Sequence, residues 1–291
     1  MEVLDRELTK VRLWLAAGLS GKVAGPNAAE MHHRIMDTPG PRWFAPDRPI
    51  RVVHGDAAVF IGGLRALLLQ SLHPLAMAAV AAHSDYRGDP WGRLQRTSAF
   101  MATTTYGTAD DAERAVAIVK AVHRRVRGTA PDGRPYAAGD PHLLEWVHVA
   151  EVDSFLRCHQ RYGAEPLDEA GADGYVADMA RIGTELGVPD PPRTRAELTS
   201  RLAGFRPELA GTPQARAAAR FLLLNAPLPL PARPAYAVLA ASSVAMLPAW
   251  ARWPLRLPYL PLTEATAVRA AGHTLVTALR WILDTRSRPD V

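Results

Sequence analysis

The chain has 291 residues, of which 48% are hydrophobic and 22% charged, with one cysteine and a formal net charge of +5. Those fractions exclude a disordered chain, a collagen and a disulfide scaffold, and a lone thiol fits a reducing compartment. Only Lys10, Lys22 and Lys120 among the 34 basic residues are lysines, and there are 25 prolines; this is the composition a GC-rich bacterial genome imposes, so the charge is no argument for nucleic-acid binding.

Helical periodicity dominates and two-residue alternation is scarce, so the fold class is all-α. The first helix is expected over 3–18, beneath an acidic start (Glu2, Asp5, Glu7) that has neither the basic nor the apolar region of a secretory signal, which gives a soluble, cytoplasmic protein as the expectation. Apolar helices follow over 57–72 and 75–83, separated at Leu72-His73-Pro74, where Pro74 cannot donate to a preceding carbonyl. Asp89-Pro90 opens a helix over 90–105, Thr108 with Asp110 and Asp111 opens one over 109–127, and Asp140-Pro141 opens one over 141–162 that Gly163 closes. Further helices are expected over 172–187, 195–203, 213–224, 235–250 and 263–284. The stretch Ala57–Ala82 is broken by Arg65, Gln70, His73 and Pro74, and Ala235–Ala251 meets Pro248, so no transmembrane span is expected, while peripheral membrane contact stays open. The proline-rich segment Pro227–Pro234 is read as an extended crossing within one domain over 1–291.

Ten histidines are present, and several interrupt apolar runs. On the 109–127 helix, Ala112, Val116, Val119, His123 and Val126 follow a 4, 3, 4, 3 spacing, which assigns His123 to the buried face. Lys120 lies three residues before it and Arg127 four after. A neutral imidazole facing an apolar cavity, with cations beside it for carboxylates, suits a haem with propionates; a core histidine hydrogen-bonded to a neighbouring helix fits the same pattern. On the next helix, His148 has Glu145 three before and Glu151 three after, with Asp153 and Ser154 following. A Glu-x-x-His pair is half of a di-iron ligand set, but no second copy exists, which leaves a polar row or a role beside a cofactor. Arg93, Arg96 and Thr97 share one helix face and offer two guanidinium groups and a hydroxyl to a phosphate, a carboxylate or a polar substrate end, or simply to solvent. Phosphate loops, a nucleophile elbow, a zinc-protease helix, a covalent haem motif and a DNA-reading helix pair are all missing.

Four ordered stretches carry a resemblance. They are Gly62 to Pro74, His83-Ser84 through Arg93-Leu94-Gln95-Arg96-Thr97, Val122-His123-Arg124-Arg125-Val126-Arg127-Gly128, and Asp140-Pro141 with Trp146-Val147-His148 and Asp153-Ser154-Phe155-Leu156. Together they resemble the DUF2236 or MpaB oxygenase family, relatives of the latex clearing proteins, or rubber oxygenases. The resemblance implies a globin-like helical core that holds a non-covalent haem b. It implies His123 as the axial iron ligand, with Arg127 matching the arginine four residues on. It implies Arg93, Arg96 and Thr97 around the distal side, with Arg96 where the rubber oxygenases carry lysine. The family's proposed glutamate base has no counterpart before Arg93; Asp85 and Asp89 stand at other spacings. The expected activity is oxygenation or oxidative cleavage of a lipophilic, unsaturated small molecule by dioxygen, with Lys120 and Arg127 at the propionates and His148 in the pocket. A haem protein without turnover and a haem-free helical lipid-binding or partner-binding protein are the competing readings.

Overall fold

Short polar side chains and prolines start most of the helices. The side chains of Asp89, Thr108, Asp140, Asp168, Thr194 and Thr212 each accept a backbone N–H from the first turn of the helix they precede. The structure, a computed structural model, describes residues 12–13, 15–19 and 21–283. In chain order the helices are α1 (Ala28–Asp37), α2 (Pro49–Gly55), α3 (Val59–Gln70), α4 (Pro74–His83), α5 (Pro90–Tyr106), α6 (Ala109–Arg125), α7 (Pro141–Tyr162), α8 (Glu169–Leu186), α9 (Arg195–Gly204), α10 (Pro213–Leu224), α11 (Arg233–Ala245), α12 (Ala249–Leu255) and α13 (Arg269–Leu283). One antiparallel hairpin interrupts them, pairing β1 (Arg127–Thr129) with β2 (Pro135–Ala137), Gly128 opposite Tyr136. The fold is all-α.

At the centre, α3 lies against α7. A Cβ on Gly62 would stand 2.6 Å from Phe155 Cδ1 and 3.1 Å from Phe155 Cα, so the two backbones approach as closely as glycine permits. Beside this contact Arg65 is buried, with its guanidinium donating to Asp153 (2.7 Å), to Ser154 Oγ (2.5 Å) and to the Met246 carbonyl (2.8 Å). Arg157 donates to the other oxygen of Asp153 (2.7 Å). The first and fourth sequence stretches thus meet as a charge-compensated seam between helices, the only form in which a buried guanidinium is tolerated. The main core runs from Trp43 to Leu255 and includes Leu68, Leu69, Leu72, Trp146, Val149, Val152, Tyr175 and Val176.

Several boundaries depart from the sequence expectations. Helix α6 stops at Arg125, and Arg127 enters the hairpin, because Gly128 and the Pro131–Pro135 turn favour a strand pair over another helical turn. The expected helix 235–250 is two helices broken at Pro248, which caps α12. The final helix is preceded by one turn at Pro261–Thr263 and a π turn at Glu264–Val268. Helices α1 and α2 were not expected; α2, at seven residues, is too short to show a period. Of the expected helix 3–18, residues 12–13 and 15–18 are helical and the rest lie outside the described residues, as does residue 284. Among the described residues no single helix is long and apolar enough to cross a membrane; Pro49–Gly55 with Val59–Gln70, and Leu230–Ala245 with Ala249–Leu255, reach that length only as pairs bent by 92° and 118°.

Candidate active site

Five helices converge on a cavity near one end of the α7–α8 pair. Its walls are Phe100, Met101 and Thr104 of α5, His123 of α6, Val147, His148 and Glu151 of α7, and Met179, Ile182 and Gly183 of α8, with His54 of α2 at its base. The free volume is about 70 Å³, room for on the order of two water molecules. The lining is apolar apart from three imidazoles, a carboxyl and a hydroxyl.

Each polar group has a distinct environment. His148 is buried, its Nε2 has no hydrogen-bond partner, and burial pushes it down to about 4, so the ring is neutral near pH 7. A Cβ on Gly183 would meet the His148 ring at 2.9 to 3.1 Å, so the glycine makes the space in which the ring lies. His123 is partly buried, its Nδ1 is unpartnered, and desolvation lowers its pKa as well. His54 differs in being satisfied, with Nδ1 hydrogen-bonded to Thr105 Oγ1 (2.9 Å) and Nε2 to the Tyr175 hydroxyl (3.3 Å). Burial holds His54 at about 3, assisted by the nearby His159. Glu151 has no compensating cation, and burial raises its carboxyl to about 7. Two imidazoles with unpaired nitrogens and a carboxyl poised near neutrality therefore share one largely apolar cavity, an arrangement that costs stability and is a mark of functional sites.

His123 and His148, singled out from the sequence, are brought together here. The other singled-out residues do not line the cavity. Arg93 is half-buried and donates to Ser84 Oγ (2.5 Å), and burial lowers its pKa. Arg96 is exposed and pairs with Asp89 (3.2 Å), and Thr97 donates to the Arg93 carbonyl (3.0 Å). By helical spacing, Arg93 and Thr97 continue the α5 stripe of Met101 and Thr104 outward, one turn at a time. Lys120 is exposed and donates to the Glu185 carbonyl at the end of α8 (3.0 Å), and Arg127 is likewise exposed and donates to the Arg124 carbonyl (3.3 Å). Glu145 of the Glu-x-x-His pair is taken by Arg201 (2.9 Å) and stands outside the cavity lining. Glu151 and His54 were not assigned to a site from the sequence. The spacing of Glu151 from His148 was visible, but nothing in one sequence marks the absence of a neutralising partner.

The donor chemistry of this cavity fits a haem: apolar walls, a neutral imidazole with an unpaired nitrogen on α6, and a second on α7. Its free volume of about 70 Å³ falls well below the 300 Å³ or more of ordinary cofactor sites, so in this conformation the cavity does not accommodate a macrocycle.

Residues 51–281 match the family described as ER-bound oxygenase mpaB/B'/Rubber oxygenase, catalytic domain. The chain is also similar to uncharacterized protein Mb2261 of Mycobacterium bovis and uncharacterized protein Rv2237 of Mycobacterium tuberculosis, each 37% identical over 102 residues. That alignment covers 35% of this chain and 39% of each relative, well short of the relatives' full length. No solved structure matches the chain.

Proposed function

The chain belongs to the mpaB/rubber oxygenase family, and from that premise we propose that it is a haem b-dependent oxygenase acting with dioxygen on a lipophilic, unsaturated small molecule. The observation that carries the proposal is the pair of unpartnered imidazoles, His123 Nδ1 and His148 Nε2, in one apolar cavity with Glu151. Haem bound there supplies an iron centre able to activate dioxygen. His123 would hold the iron through a ring nitrogen, and its lowered pKa keeps the ring free of a competing proton near pH 7.

The remaining roles belong to this chain's own side chains. His148, neutral and held by packing against Gly183, presents an unpaired ring nitrogen to whatever occupies the cavity. Glu151, held at about 7, is half protonated at neutral pH and can give or take a proton at its carboxyl oxygen, which makes it the candidate base that the sequence reading lacked. The apolar walls exclude water and favour a hydrocarbon substrate. Arg93, Arg96 and Thr97 lie outward along α5 and are assigned to the polar end of the substrate. Lys120 and Arg127, the cations that flank His123 in sequence, are assigned to the haem propionates.

Reconstitution tests this reading. Haem titrated into the full chain should produce a Soret band at one haem per chain, lost in His123→Ala and shifted in His148→Ala. Oxygen uptake should then depend on an added alkene-containing lipophile and should fall on the order of 10²-fold in Glu151→Gln. A wild-type chain that gives no Soret band, or one that His123→Ala leaves unaltered, overturns the cofactor assignment. A normal Soret band without oxygen uptake identifies a haem protein without turnover.

A further inference from the structure

A second polar cluster lies away from the oxygenase cavity, where the start of α4, the start of α7 and the 3-10 turn Arg206–Glu208 meet. His73 precedes Pro74 at the head of α4, His142 is in the first turn of α7, and Glu208 ends the turn. One ligand atom from each of the three lies within 4.8 Å of the other two. His142 Nε2 is 2.8 Å from Glu208 Oε2, and His73 Nε2 is 3.4 Å from the same oxygen.

His73 is the anomaly. Its side chain is 2% exposed and neither ring nitrogen makes a hydrogen bond, the nearest carboxylate being Glu208 at 3.4 Å from Nε2. The apolar wall behind it is Trp146, whose ring centroid stands 6.3 Å away, and Phe205, which packs against His142 at 4.8 Å. His142 and Glu208 are 52% and 41% exposed, so the cluster opens to solvent on one side. Nearby, the Arg134 guanidinium is engaged by Asp132 at 2.8 and 3.0 Å.

We propose that His73, His142 and Glu208 form a binding site for one divalent transition-metal ion of the zinc class. Two imidazoles and one carboxylate are a borderline-soft donor set that suits zinc and leaves a fourth, solvent-facing position. Bond lengths of about 2.0–2.2 Å around a tetrahedral ion require donor separations of roughly 3.3–3.5 Å. The His73–Glu208 separation of 3.4 Å already meets this requirement, and the 2.8 Å His142–Glu208 hydrogen bond opens by about half an ångström to accept the metal. Binding would give His73 the partner it lacks and would tie three chain segments that are distant in sequence.

The test is a zinc titration of the tag-free, chelator-treated full chain by calorimetry, with thermal unfolding measured in parallel. One zinc per chain and a higher Tm are expected. His142→Ala and Glu208→Gln, both at partly exposed positions, should each weaken binding by on the order of 10-fold to 10²-fold and abolish the Tm rise. The haem titration of both variants should match the parent, which separates this site from the oxygenase cavity. Zinc affinity that persists in the double variant, or that disappears only with His123→Ala, overturns the proposal.

Discussion

At the residue scale, the cavity's titrating groups pull stability in opposite directions with pH. His148 and His54 are held at about 4 and about 3 against 6.5 for the ordinary side chain. Between those values the unfolded chain binds protons that the folded chain refuses, so their contribution is lost as pH falls below about 6.5. Glu151 runs the other way: held at about 7 against 4.5, its folded carboxyl keeps a proton the unfolded chain has released, and stability declines as pH rises from about 4.5 to about 7. At 1.36 kcal/mol per unit, each of these shifts is on the order of 3 kcal/mol or somewhat more. Urea denaturation at pH 4.5, 6.5 and 8 should therefore show Glu151→Gln gaining on the parent at pH 8 while matching it at pH 4.5. In the same series His148→Gln should lose less than the parent on acidification. If Glu151→Gln and the parent run parallel at all three values, the carboxyl is ionised in the fold and its role as proton carrier falls. None of this was readable from spacing. Periodicity could place His148 and Glu151 near one face, but a pKa depends on which charges stay away, and that is settled by residues from five helices.

At the scale of elements, the best-read helices are those whose ends carry their own chemistry. Asp140, Pro141 and Gly163 delimit α7, and it spans the expected residues 141–162. Where a boundary depends on a longer-range alternative, as at Arg127, local pattern misleads, because the competing hairpin is visible only once Gly128 pairs with Tyr136. The glycine pair at the start of α3 shows the same division. Gly62 and Gly63 are indistinguishable by sequence, yet a Cβ on Gly62 would meet Phe155 at 2.6 Å and one on Gly63 only at 3.9 Å. Gly62→Ala should therefore force α3 from α7 and lower stability by about 1–3 kcal/mol. Gly63→Ala has room and improves helix propensity, which should raise stability by up to about 1 kcal/mol. Guanidinium chloride midpoints of the two variants, with unchanged m-values, decide it. Equal effects of either sign would mean that the α3–α7 distance is not set by Gly62.

At the scale of the whole molecule, the cavity has one firm side and one yielding side. Helix α7 buries thirteen of its residues and α8 eight, among them Trp146, Val149, Val152, Tyr175 and Val176 of the main core. The opposite walls are thinly anchored: α5 buries only Thr104 and Thr105, and α6 only Asp111, Ala112 and Val116, while Ile118 and Val122 of α6 remain 67% and 54% exposed. Local opening follows the helices with fewest buried contacts, so α5 and α6 should open before α7 and α8. Because a free volume of about 70 Å³ is too small for a macrocycle, the haem proposal predicts that α5 and α6 move on binding while α7 and α8 stay. Hydrogen exchange of the haem-free chain should accordingly show faster exchange in peptides from 90–125 than in those from 141–162 and 169–186. Haem addition should slow the 90–125 peptides by on the order of 10-fold and leave the α7 peptides nearly unchanged. Phe100→Ala, which removes part of the yielding wall, should speed haem uptake without changing the Soret position. Protection spread evenly over all four helices, or confined to α7 and α8, would place the moving wall elsewhere.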